Sequence, residues 1–125
     1  MDIELIYKEE SYQIIGICIE VHKILGKGLS EAVYADAIEY ELLTHNIPFK
    51  RECPYKIEYK DIILPHYYYA DFVIDEKIIL EVKAIESLTK SHSKQIINYL
   101  SASKLRLGLL VNFGEDMLNT KRIIR

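Results

Sequence analysis

The sequence predicts an α/β domain, a mixed central sheet flanked by helices, and three observations carry that expectation. Apolar residues recur at three and four residue intervals in three separate segments, the stripe of a helix with one buried face. Between the second and third of these segments lie β-branched and aromatic runs broken by proline and polar turns, which read as strands. Residues 107–113 then form a near-continuous apolar run after the third helical segment. That is the pattern of a strand covered on both faces, returning beside its neighbour by a helical crossover.

Taken in order, Ile14, Ile17, Cys18, Val21 and Leu25 place a first helix over about residues 9–25. It stops at Gly26-Lys27-Gly28, where glycine permits the left-handed backbone that ends a helix. Ser30 is placed to cap a second helix, whose Val33, Tyr34, Ala37, Ile38 and Leu42 run to about His45 before Asn46-Ile47-Pro48 closes it. Residues 55–59 read as a strand, and Lys60-Asp61 turns the chain into residues 62–64. Pro65 is expected to break the run before strands at 67–74 and 78–84. Ile96, Ile97, Tyr99 and Leu100 mark a helix over 91–103, followed by the strand at 107–113 and a candidate short strand at 121–124. The predicted order is α-α-β-β-β-α-β with that short strand last. No repeat, low-complexity tract or linker interrupts it, so residues 1–125 are expected to be one domain.

Composition narrows the function classes. Hydrophobic residues make up 50% of the chain and charged residues 28%, which describes a globular protein. A formal net charge of -3 excludes a generally basic nucleic-acid coat, so any such contact must come from a local basic surface. No apolar run is long enough to span a membrane, and Met-Asp-Ile-Glu-Leu lacks the basic start of a signal peptide, so a cytoplasmic location is expected. Cys18 and Cys53 stand far apart with no Cys-x-x-Cys or Cys/His cluster, and both read as reduced packing residues rather than zinc ligands. The ten tyrosines suit half-buried surfaces and do not by themselves indicate a ligand.

Residues 68–84 hold the feature that needs a reason. Asp71 interrupts one apolar strand, and Glu81 and Lys83 interrupt the next, two residues apart and therefore on one face. Charges are rarely buried without a partner or a metal. If Asp71 and Glu81 lie opposite one another, residues 74 and 78 pair as well and the connection is the odd-length Asp75 to Lys77. A two-residue connection would put the carboxylates on opposite faces unless a bulge intervened. Two readings follow. One is a solvated face with a salt bridge from Lys83 to Asp71 or Glu81. The other is a divalent metal site with a lysine beside it, suited to attack on a phosphate.

Other residues add weaker signals. Glu31 opens the second helix on the same face as Tyr34, where an acid also meets the helix dipole favourably. Gln95 and Tyr99 are one helical turn apart, and Lys90, His92 and Lys94 lie near the start of the same helix, where backbone amides favour an anion.

Asp71 followed by Glu81-Val82-Lys83 resembles the signature of the PD-(D/E)xK nuclease superfamily, whose fold is restriction-endonuclease-like. Gln95-Ile96-Ile97-Asn98-Tyr99 resembles the QxxxY motif of its RecB-like exonuclease branch. Gly28-Leu29-Ser30-Glu31-Ala32-Val33-Tyr34 is similar to the motif of the GxxExxY family, and the likeness extends from Val21-His22 to Asn112-Phe113-Gly114. The resemblance implies hydrolysis of nucleic acid, DNA foremost, with Mg²⁺ or Mn²⁺ held by Asp71, Glu81, the Val82 carbonyl and Glu31. It implies that Lys83 orients the attacking water and offsets charge on the phosphate, that Gln95 and Tyr99 position the nucleophile or the scissile strand, and that His22 supports the site or packs. Ala70 stands where the signature has proline, and no extended basic arm is apparent. So small a domain is expected to need a second copy or a partner protein to hold a duplex. The competing expectations are a nucleic-acid-binding module of the same fold without turnover, and a protein-interaction module whose charged hairpin only forms ion pairs.

Overall fold

Helical periodicity becomes helix at all three places. The structure, a computed structural model, describes residues 6–125; the Met1 to Leu5 stretch read above as lacking a basic start lies outside the described residues. The elements are α1 (Lys8–Leu25), α2 (Glu31–Thr44), β1 (Phe49–Tyr59), β2 (Ile62–Ile74), β3 (Ile78–Lys83), α3 (Lys90–Ser103), β4 (Leu107–Asn112) and β5 (Asn119–Ile124). Gly26 ends α1 with a φ of 69°, as its freedom from a Cβ allows. Ser30 stands at the start of α2 in extended backbone, but its side chain makes no cap bond; the Val33 amide instead donates to the Ser30 carbonyl at 3.1 Å.

The five strands lie in sequence order, antiparallel except for β3 and β4. That parallel pair is joined through α3, the expected crossover, and its strands are the most completely buried because both faces are covered. On one face Ile14, Ile17 and Val21 of α1 and Tyr34, Ile38 and Leu42 of α2 pack against Phe72, Leu80, Val82, Leu109 and Val111. On the other, Ile96, Tyr99 and Leu100 of α3 cover Ala70, Val73, Ile79 and Leu110. Each such side chain contributes about 1.5–3 kcal/mol by leaving water.

Two strands differ most from expectation, the other strand ends shifting by at most two residues. β1 begins at Phe49, six residues earlier than the apolar pattern indicated, because its first half is charged and carries Pro54. β1 is an edge strand, and an edge tolerates both. β2 runs straight through Pro65. The proline falls within a break in the register, between the pairs Lys56↔Tyr67 and Glu58↔Ile63, where no ladder bond is asked of it.

β2 pairs with β3 only at residues 72–74, so the rest of β2 pairs with β1 alone and the two strands run on as an arm. The sequence had shown no such arm. It is extended but of mixed charge, with Lys56 and Lys60 set against Glu52, Glu58 and Asp61.

β2 also turns over. Phe72 and Ile74 face α1 and α2, yet Tyr68 and Ala70, with the same parity, face α3. Alternation forbids this unless the strand is irregular between them. The irregularity is at Asp71, opposite Glu52, whose φ of 52° is left-handed; the pairs Arg51↔Phe72 and Cys53↔Ala70 hold on either side.

The far end of β4 is locked to the exit of β3. A Cβ at Gly114 would overlap the Ile85 amide and carbonyl, whereas one at Gly16, inside α1, would meet nothing within 4 Å. Chemical denaturation is therefore expected to show Gly114→Ala destabilised by about 1–3 kcal/mol, and Gly16→Ala stabilised by about 0.5–1 kcal/mol.

Candidate functional site

The β2–β3 ladder ends at Phe72↔Leu80, and the next residues on each strand are Asp71 and Glu81. The register is the one the parity argument required, with Ile74 opposite Ile78 and Asp75 to Lys77 as the connection. Asp75 and Glu76 take φ values of 53° and 57°, and the Lys77 amide donates to the Ile74 carbonyl at 3.1 Å.

Where the ladder stops, the carboxylates replace it. The Asp71 amide donates to Glu81 Oε1 at 2.9 Å, and the Val82 amide donates to Asp71 Oδ2 at 2.8 Å. Each acid is held by the backbone of the opposite strand, so both are fixed in the gap where the strands part. Bonds to a carboxylate are among the stronger hydrogen bonds, worth about 1.5–3 kcal/mol each.

Glu81 is only 2% exposed. Burial pushes its carboxyl up to about 8; the negative charge of Asp71 and direct hydrogen bonding to that carboxylate act the same way, against the Asp71 amide and the charge of Lys83. Among the described residues Lys83 forms no ion pair with either, so the salt-bridged face considered from sequence is not formed. Lys83 shares the face of Glu81 and is half-buried.

A buried pair of acids that no cation ion-pairs among the described residues is a donor set that suits a hard divalent ion. Among the described residues, no three His, Cys, Asp or Glu side chains group as a metal site. Two carboxylates nonetheless fit a Mg²⁺-like ion, which keeps several of its waters and takes one or two protein carboxylates.

The remaining candidates divide. Glu31 shares a cavity of about 200 Å³ with Asp71 and Val82, but its Oε2 accepts from the Ala84 amide at 3.3 Å. Tyr99 lies on the α3 side of the acids; burial pushes its phenol up to about 12, and the charges of Glu81 and Asp71 add to the shift. Gln95, one turn earlier, is half-buried and forms no side-chain hydrogen bond among the described residues. His22 is not at the acids. Its Nε2 bonds the Glu115 carbonyl at 2.9 Å and its ring leans on Phe113, a packing role. His92 turns to its own backbone, its Nδ1 accepting from the Thr89 amide at 2.9 Å, while Lys90 and Lys94 are exposed. Tyr34, stacked on Phe113 at 4.5 Å, donates to the Gly26 carbonyl at 2.6 Å and so clasps the loop that delivers Glu31.

Asn112 was not singled out. It is 0% exposed, and its side chain bonds the Ile85 amide at 3.0 Å and carbonyl at 2.9 Å, fixing the chain just beyond Lys83. A polar residue ending an otherwise apolar strand was the available signal. Arg51 and Glu52 line the cavity with Asp71, and only the register across the arm reveals it.

An acidic pair at the parting of two strands, on a mixed sheet with helices on both faces, defines a restriction-endonuclease-like α/β fold. Residues 8–125 match the family model of the PD-(D/E)XK nuclease superfamily, and the chain belongs to that superfamily. Its members generally use divalent metal ions. Among solved structures the crystal structure of SSO0001 is similar, with a TM-score of 0.61 at 20% identity, over 75% of this chain and 49% of that one. The chain thus spans about half the length of that protein, and the likeness concerns the fold. No curated protein sequence matches.

Proposed function

We propose that this domain hydrolyses phosphodiester bonds of nucleic acid, with DNA as the first substrate to test, and that it belongs to the GxxExxY family and the RecB-like branch. The observation that carries this reading is the cross-strand brace, which fixes Asp71 and Glu81 to each other's strands, with Lys83 on the face of Glu81 and, among the described residues, in no ion pair. Asp71, Glu81 and the Val82 carbonyl hold Mg²⁺ or Mn²⁺, and Glu31 contributes from the cavity side. Bound there, the ion supplies positive charge at the phosphate and a more acidic water. Lys83 offsets charge on the phosphate and orients the attacking water, Tyr99 closes the apolar side, and Gln95 positions the scissile strand.

One observation favours a second reading, a nucleic-acid-binding or protein-interaction module without turnover: Glu31 is committed to the Ala84 amide, and among the described residues no third acid joins the pair. Calorimetry with Mn²⁺ separates the two. Wild type is expected to bind the ion, and Asp71→Asn and Glu81→Gln to lose that binding. Because Glu81 must release a proton first, affinity is expected to rise about tenfold per pH unit up to about pH 8 and then level. No Mn²⁺ uptake at pH 8 sinks the hydrolase reading.

A further inference from the structure

The residues that follow Glu86 are electrically unlike the rest of the chain. Residues 87–114 contain Lys90, Lys94, Lys104 and Arg106 and not one Asp or Glu, in a chain of net charge -3. Most of that segment is α3. Its solvent face presents Lys90, Lys94, Asn98, Ser101 and, at the cap, Lys104, all exposed and three or four residues apart, so they form one stripe. Along a helix of 14 residues it runs about 20 Å.

Beside this stripe, α3 and the arm enclose a groove of about 500 Å³. Asn98, Ser101 and Lys104 form one wall, Lys56 and Tyr68 the other, with Glu58 the one acid among the lining residues. The groove lies on the α3 side of the sheet and neither acid lines it. The Tyr68 ring meets the buried Tyr99 ring edge-on at 5.5 Å, so α3 and the arm are in contact at the base of the groove.

We infer that this groove holds a single strand of nucleic acid, an inference that deepens the proposed function and rests on it. Two ammonium groups facing across a trough, with an amide and a hydroxyl between them, match a phosphodiester backbone, and Tyr68 offers a ring against which a base can lie. In a duplex the bases are stacked inside the helix, so a lone ring in the trough favours an unpaired strand. Strand pairing by a second copy on the open edge of β1 is disfavoured instead, because Pro54 lacks an amide hydrogen and Glu52 breaks the strand.

The test is fluorescence anisotropy in EDTA, so that nothing is cut, with fluorescein-labelled 20-nucleotide DNA and RNA single strands and the matching DNA duplex. Wild type is expected to bind the single strands more tightly than the duplex. Lys56→Gln with Lys104→Gln is expected to weaken single-strand binding about tenfold and to lower the slope of log K against log salt by about 1.4, two phosphate contacts at about 0.7 each. Lys56→Gln with Lys94→Gln, which spares the helix cap, is expected to act in the same direction. Lys8→Gln with Lys23→Gln removes equal charge from α1, across the sheet, and is expected to leave binding within twofold. Tighter duplex binding, equal losses in the α1 pair, or no binding by wild type each overturns the inference. If wild type takes up Mn²⁺ and cleaves while the groove variants cleave as fast, the groove fails and the hydrolase stands. If the groove variants lose binding while wild type takes up no Mn²⁺, the converse holds.

Discussion

Lys83→Ala is expected to slow cleavage of DNA in Mg²⁺ by on the order of 10²–10³ while leaving Mn²⁺ affinity within twofold of wild type. The first figure is what removal of one preorganised charge from a transition state typically costs. The second follows from geometry: Lys83 shares a face with Glu81 but pairs with neither acid, so its removal leaves the brace intact. Asp71→Ala is expected to differ by losing both properties, because its Oδ2 is also the partner of the Val82 amide. Parallel assays on linear, circular and single-stranded substrates read the rates. Cleavage that persists in both variants would mean that the activity comes from elsewhere.

Unfolding in EDTA is expected to show stability falling as pH rises from about 4.5 to about 8. The sign follows from Glu81. Its carboxyl is raised from 4.5 to about 8 in the folded chain, so across that window the folded state holds a proton that the unfolded state has released. Each unit of pH within the window then costs up to about 1.4 kcal/mol, and the whole is on the order of a few kcal/mol. Glu81→Gln has no proton to lose, so its profile is expected to be flatter and to cross that of wild type, less stable near pH 5 and more stable at pH 8. Manganese at pH 8 is expected to restore wild type and not the variant. A wild-type profile flat across the window would mean that the acids do not repel as their burial implies.

Much of this was legible in the sequence because it depends on periodicity and parity. Three and four residue spacings located α1, α2 and α3, and the even separation of Asp71 from Glu81 called for an odd connection or a bulge, of which the odd connection is the one that forms. What escaped depends on contacts distant in the chain. The start of β1 at Phe49 carries charge and a proline, and only its place at the sheet edge makes it a strand. Continuity through Pro65 depends on a register break that no local pattern announces. Glu31 was placed near Asp71 by likeness to a motif, yet its bond to the Ala84 amide follows from how α2 lies on the sheet. Asn112 sat in plain view, and its partner Ile85 is twenty-seven residues away.

The cross-strand brace has one more consequence. Its donors are peptide groups, which every residue except proline carries, so no exchange of a neighbouring side chain for another non-proline residue deletes a donor. The alignment of the two acids is therefore insulated from sequence drift around them, and relatives that share few other residues can still hold the same pair in the same place. With both acids kept, only an altered chain length between the strands, or a proline at position 82, would undo it.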